Sequence, residues 1–97
     1  MFSLKKLLVE APDFEVYHKS YTDAVNTALE YLEKRGYEYN KEDAFNKIGM
    51  NTKKPSAGKT TRFSLPLYKN SKEQRKQLHV QVYGMEGGRY ELNMYIN

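Results

Sequence analysis

The chain has no cysteine, which excludes disulfides and thiolate metal sites and fits a reducing compartment. It has no tryptophan. Its two histidines, His18 and His79, lie far apart and show no H-x-x-x-H spacing, so a helical zinc site has nothing to be built from. The longest apolar run near the N-terminus, Leu7-Leu8-Val9, is too short for a signal-peptide core or a membrane span, and Glu10 follows it. No metal, cofactor or membrane partner is expected from these residues. No internal repeat or low-complexity tract is present.

What is present suffices for one folded domain. Of the 97 residues, 39% are hydrophobic, enough for a modest core, and nine are tyrosines. The net charge of +4 is unevenly spread. Residues 1–51 carry seven basic and nine acidic groups, and residues 79–97 balance at −1. Residues 52–78 carry eight basic groups, Lys53, Lys54, Lys59, Arg62, Lys69, Lys72, Arg75 and Lys76, against Glu73 alone. The whole basic excess thus falls in one stretch.

Residues 2–10 read as a short amphipathic helix, with Leu4, Leu7 and Leu8 opposite Lys5 and Lys6; Pro12 ends it. Residues 13–19 alternate and predict a short strand, with Phe14 and Val16 on one face and Glu15 and Tyr17 on the other. A helix follows, capped by Ser20 or Thr22, carrying Tyr21, Val25, Ala28, Leu29 and Leu32 at helical spacing and ending at Gly36. A second helix starts after Asn40, has Ala44, Phe45 and Ile48 on its apolar side, and is expected to stop at Gly49. Residues 50–60 lack periodicity and predict a mobile loop.

Three alternating runs then predict strands: Phe63, Leu65 and Leu67; Leu78, Val80 and Val82; Leu92, Met94 and Ile96. The polar connections 69–74 and 84–88 join them as an antiparallel meander. Pro66 cannot donate to a ladder, which puts its strand at an edge. The expected fold class is α+β: a two-layer sandwich of two helices packed on a three- to four-stranded antiparallel sheet, preceded by a short N-terminal helix. Residues 1–11 are expected to form a separate N-terminal amphipathic segment and residues 12–97 the single domain. The sheet face away from the helices presents Arg62, Ser64, Tyr68, His79, Gln81, Tyr83, Asn93 and Tyr95.

Leu8-Val9-Glu10-Ala11 closes the N-terminal segment with a hydrophobic-x-Glu-small pattern. The stretch MFSLKKLLVEA resembles the capsid-targeting leader of internal head proteins of T-even-type tailed bacteriophages. The resemblance implies docking on the prohead scaffold, recognition of Leu8 and Glu10 by a prohead protease, and a cut at the Glu10–Ala11 bond. It further implies a small non-enzymatic virion protein, located in the phage head or, after injection, in the host cytoplasm, where it binds DNA or a host protein. KPSAGKTTRFSLPLYK and QVYGMEGGRYELNMYIN are similar to small proteins of marine phages of that type. An ordinary amphipathic helix packed on the domain's own core is the alternative.

Independently of any resemblance, Lys53, Lys54, Lys59, Arg62, Lys69, Lys72, Arg75 and Lys76 are candidates for contacts with the phosphates of DNA or RNA. About five or six such contacts would give log K against log[salt] a slope on the order of −5. Tyr68 and Tyr83, with Tyr95, are candidate base-stacking residues; a solvated polar face is the competing explanation. Ser56-Ala57-Gly58-Lys59-Thr60 has the ending of a P-loop, but Lys53 stands where that loop needs a glycine, and a strand rather than a helix follows. An RNase-like toxin using His79 with Arg75, Lys76 and Tyr83 is a third reading, and a solvent-facing His79 is its simpler counterpart.

Overall fold

The computed structural model describes residues 14–50 and 54–97, apart from the side chains of residues 49 and 50. The expected N-terminal helix, the processing positions Leu8, Glu10 and Ala11, and Lys53 lie outside the described residues. The elements, in chain order, are β1 (Tyr17–His18), α1 (Tyr21–Lys34), α2 (Lys41–Ala44), a π-helical segment (Phe45–Met50), β2 (Thr60–Lys69), β3 (Lys72–Gly84) and β4 (Tyr90–Ile96). They form an α+β fold on one four-stranded antiparallel sheet of order β1-β4-β3-β2.

Helix α1 has both ends satisfied locally. The Ser20 hydroxyl accepts the Asp23 N–H at 3.0 Å, so Ser20 and not Thr22 is the cap. At the other end Gly36 takes φ 83°, which lets the Tyr37 N–H reach the Leu32 carbonyl at 3.0 Å and the Gly36 N–H reach Glu33 at 3.0 Å. This paired closure uses the left-handed residue that glycine adopts without a Cβ penalty. The buried face of α1, Ala24, Ala28 and Leu32, meets Leu67, Leu78, Val80, Val82 and Leu92 of the sheet in the main core. Each leucine there is fully buried, and burial of such a side chain contributes about 1.5–3 kcal/mol.

The second helix departs from the expected regular element. Asn40 caps it, accepting the Asp43 N–H at 2.8 Å, but α-helical geometry ends at Ala44 and the chain runs on as a π-helical segment to Met50. Gly49 therefore does not terminate it. This part of the chain flanks β2: the Lys47 ammonium donates to the Ser64 carbonyl at 2.7 Å. Glu38 also bridges β2 at Tyr68 through two backbone hydrogen bonds of 2.8 Å. The helical members of the main core cluster all come from α1.

Strand β2 is an edge, as Pro66 requires. The β2–β3 connection is shorter than 69–74: Asn70 (φ 51°) and Ser71 (φ 67°) make a two-residue turn with both φ angles positive, the geometry that matches strand twist. Between Pro66 and Tyr68 the register shifts, because β3 runs from Gln77 to Glu73 while β2 advances by two, so Gln74, Arg75 and Lys76 sit in a bulge. The strand expected over 13–19 is reduced to Tyr17–His18. It covers β4 at Tyr90 and Glu91, and the Val16 carbonyl takes the Leu92 N–H at 2.7 Å.

Tyr21 stands edge-on to Tyr90 at 6.4 Å, and its buried hydroxyl has no partner among the described residues. Burial raises its pKa above 10.0; burial, then the nearby Glu33 charge, does the same for Tyr39. Tyr21→Phe keeps the ring packing and removes the stranded hydroxyl, so stability is expected to rise by about 1 kcal/mol. The pH dependence follows from the direction of the shift. The raised folded-state pKa contributes stability that is full below 10.0, the ordinary tyrosine value, and is lost as pH rises through the folded value, because the unfolded chain ionises first. Denaturant melts at about pH 7 and about pH 11 check this: the parent should weaken more steeply on alkalinisation than Tyr21→Phe. Equal losses in both proteins would count against it.

Candidate nucleic-acid interface

Directly opposed residues of antiparallel strands share a face, so the register fixes which side chains are neighbours. On the sheet face opposite α1, three rows cross the strands. The first holds Thr60, Tyr83, Glu91 and Tyr17; the second Arg62, Gln81 and Asn93; the third Ser64, His79 and Tyr95. Successive rows are two residues apart, or about 7 Å. Tyr83 and Tyr95 therefore stand about 13 Å apart along the strands, with the amides of Gln81 and Asn93 between them.

Exposure singles out this face. The exposed large hydrophobic side chains of the described residues are Tyr17 (57%), Phe45 (58%), Tyr83 (39%) and Tyr95 (53%). Three of those four lie in the rows just given. Tyr95 is held flat: its ring stacks on His79 at 4.8 Å and 28°. His79 is held in turn by the Ser64 hydroxyl, 2.8 Å from Nδ1, and by the Asn97 carbonyl, 3.4 Å from Nε2. A carbonyl can only accept, so Nε2 carries the proton, and in the neutral ring the Ser64 O–H donates to Nδ1. The stack thus rests on a hydrogen-bonded base that limits its rotation.

The candidate cations divide into groups. Arg62 lies on the aromatic face, and Lys59 precedes β2 at the Tyr83 end. Lys72, Arg75 and Lys76 gather at the far end of the hairpin, all exposed. Among the described residues none of these five ion-pairs with an acid. Lys69 instead sits over the Tyr37 ring at 4.5 Å, and Lys54 lines a cleft beside α1. Tyr68 is half-buried beyond the row of Tyr95, opposite Glu73, rather than beside Tyr83. Glu91 places one carboxylate between Tyr17 and Tyr83.

The expected loop mobility at 50–60 is corrected over its described part. Pro55 is buried, Ala57 forms a parallel bridge with Gly84, the Gly58 N–H donates to the Gly84 carbonyl at 2.8 Å, and the Gly84 N–H donates to Lys59 at 2.8 Å. The segment is tied to β3, and Gly58 (φ 82°) turns the chain into β2. Nor do the residues of the RNase-like reading converge. His79 and Tyr83 are four positions apart on one strand, about 13 Å, and Arg75 and Lys76 lie the other way in the bulge. Proton transfer needs hydrogen-bond reach, about 3 Å.

Tyr17 is the aromatic that sequence reasoning missed as a site residue. Its alternation signal was visible, but only the pairing of β1 with β4 puts it in line with Tyr83. Among the described residues no helix is long and apolar enough to cross a membrane. No protein-family model matches the chain, and neither a curated protein nor a solved structure matches it.

Proposed function

We propose that the chain binds single-stranded nucleic acid across the open sheet face. The observation that supports this reading is the gathering of Tyr17, Tyr83 and Tyr95 on one face with Arg62, joined by one hairpin to Lys72, Arg75 and Lys76. Bases stack on exposed rings whatever their identity, while arginine and lysine track the backbone phosphates. The amides of Gln81 and Asn93 offer donors and acceptors to a base lying between two stacked neighbours. An open sheet surface lets a splayed strand lay its bases against exposed rings, which a paired duplex cannot do.

A fluorescence-anisotropy titration with a short labelled oligothymidylate tests it. Binding should be tighter than to a duplex of equal length. Contacts from Lys59, Arg62, Lys72, Arg75 and Lys76 should give log K against log[salt] a slope of about −3.5 for a single strand. Affinity indifferent to salt, or a preference for the duplex, would overturn the reading.

A second reading concerns cellular context. The Leu8-Val9-Glu10-Ala11 pattern supports packaging in a phage head through the prohead scaffold, followed by a cut at Glu10–Ala11 and binding of DNA or a host protein. All residues of the described core, from Phe14 onward, would remain in the product of that cut. Co-expression with a cognate prohead protease should yield a chain beginning at Ala11 by intact-mass measurement; an unshortened chain would remove the packaging reading and leave nucleic-acid binding standing.

A further inference from the structure

A second surface, away from the aromatic sheet face, has a different chemistry. A cleft of about 860 Å³ opens between α1 from Tyr21 to Leu29, the α2–π-helical segment and the β3–β4 turn. Its wall includes Leu29, Phe45 and Ile48, and Phe45 is 58% exposed, the highest value among the exposed large hydrophobic side chains of the described residues. An apolar surface left open to water inside a concavity favours an apolar guest. The volume falls in the range of about 300–1,000 Å³ typical of small-molecule sites.

Among the described residues the charged side chains that line the cleft are of one sign: Lys19, Lys41 and Lys54, with no aspartate or glutamate. That is unexpected from composition, because residues 1–51, which supply most of the lining, carry more acidic than basic groups. Three exposed cations around an apolar wall complement a ligand with one anionic end and one apolar end. A cationic amphipath would be repelled, and a plain polyanion would leave the wall in water.

We infer that this cleft binds a small amphipathic anion, its apolar tail against Leu29, Phe45 and Ile48 and its carboxylate or phosphate head paired with Lys19, Lys41 and Lys54. The site is separate from the sheet face, and its existence does not depend on nucleic-acid binding.

The test uses the full chain and three probes below their micelle concentrations: dodecanoate, dodecyl phosphate and dodecyltrimethylammonium. Isothermal titration should give one site for at least one of the two anions, with a Kd on the order of 10 µM, and binding at least tenfold weaker for the cation. The tighter anion identifies the preferred head group. In proton–nitrogen NMR spectra the shifts should centre on Leu29, Phe45 and Ile48 and spare Tyr83 and Tyr95. The triple variant Lys19→Gln/Lys41→Gln/Lys54→Gln, checked for an unchanged circular dichroism melt, should lose at least tenfold in affinity for the anion. Since these lysines are exposed, Leu29→Gln offers an independent probe of the wall and should weaken both anions alike. Failure of both anions to bind, equal binding of the cation, an unaffected triple variant, or shifts on the sheet face would each overturn the proposal.

Discussion

Replacing Tyr83 and Tyr95 together by alanine is expected to weaken oligothymidylate binding by about 2–6 kcal/mol, a loss of ~30-fold or more, since each base–aromatic stack is worth about 1–3 kcal/mol. The fold should survive. Both rings are exposed, and their replacement removes no core contact; loss of the Tyr95–His79 stack costs at most about 1 kcal/mol. Tyr83→Phe and Tyr95→Phe should retain most of the affinity, because the ring rather than the hydroxyl carries the stacking. Arg62→Ala should act differently, lowering affinity and making the salt slope shallower by about 0.7. Anisotropy titrations at several salt concentrations separate the two effects. If the double alanine variant binds as tightly as the parent, the aromatic face is not the binding surface.

Gly84→Ala is expected to be among the most damaging single methyl additions. Gly84 ends β3 under the 55–56 segment, and a Cβ there would be driven into the Ser56 carbonyl oxygen and lie 2.9 Å from that of Pro55. These are backbone atoms, which cannot swing aside as a side-chain tip can. Overpacking costs about 1–3 kcal/mol, and displacement of the segment also strains the Gly58–Gly84 and Gly84–Lys59 hydrogen bonds, each worth about 1 kcal/mol. A total of about 2–4 kcal/mol is a large share of the roughly 5–15 kcal/mol that stabilises a domain. In a domain of this size the melting temperature should fall by roughly 8 °C or more. Hydrogen exchange at the Gly58 amide gives a second readout, since detachment of the segment exposes it even if the sheet persists. A variant that melts with the parent and keeps Gly58 protected would show that the close approach is not a constraint.

Where sequence signals matched the fold, the interactions concerned are local or periodic. Ser20, Asp23 and Gly36 mark α1 because capping and left-handed turning involve groups within a few residues of one another. Alternation of Phe63, Leu65 and Leu67 with polar residues predicts which side of β2 is buried, because the strand repeat is two. Pro66 predicts an edge strand because a missing N–H is a property of one residue. The bulge at Gln74–Lys76 and the shortening of β1 to two residues left no such mark. Both depend on what the partner strand does.

The same division holds for the candidate interface. Composition alone placed the basic excess in residues 52–78 and forbade cysteine chemistry, because charge and residue type are carried by the chain whatever its shape. Tertiary structure then sorted those cations, sending Lys54 to a cleft and Lys69 to Tyr37 while leaving Arg62 on the sheet face that carries Tyr83 and Tyr95. Only the fold could put Tyr17 in the row of Tyr83, and only the fold could bring Pro55 and Ser56 onto Gly84. Those neighbours are set by long-range strand register, which emerges from the whole sheet packing against α1 and is encoded in no single segment.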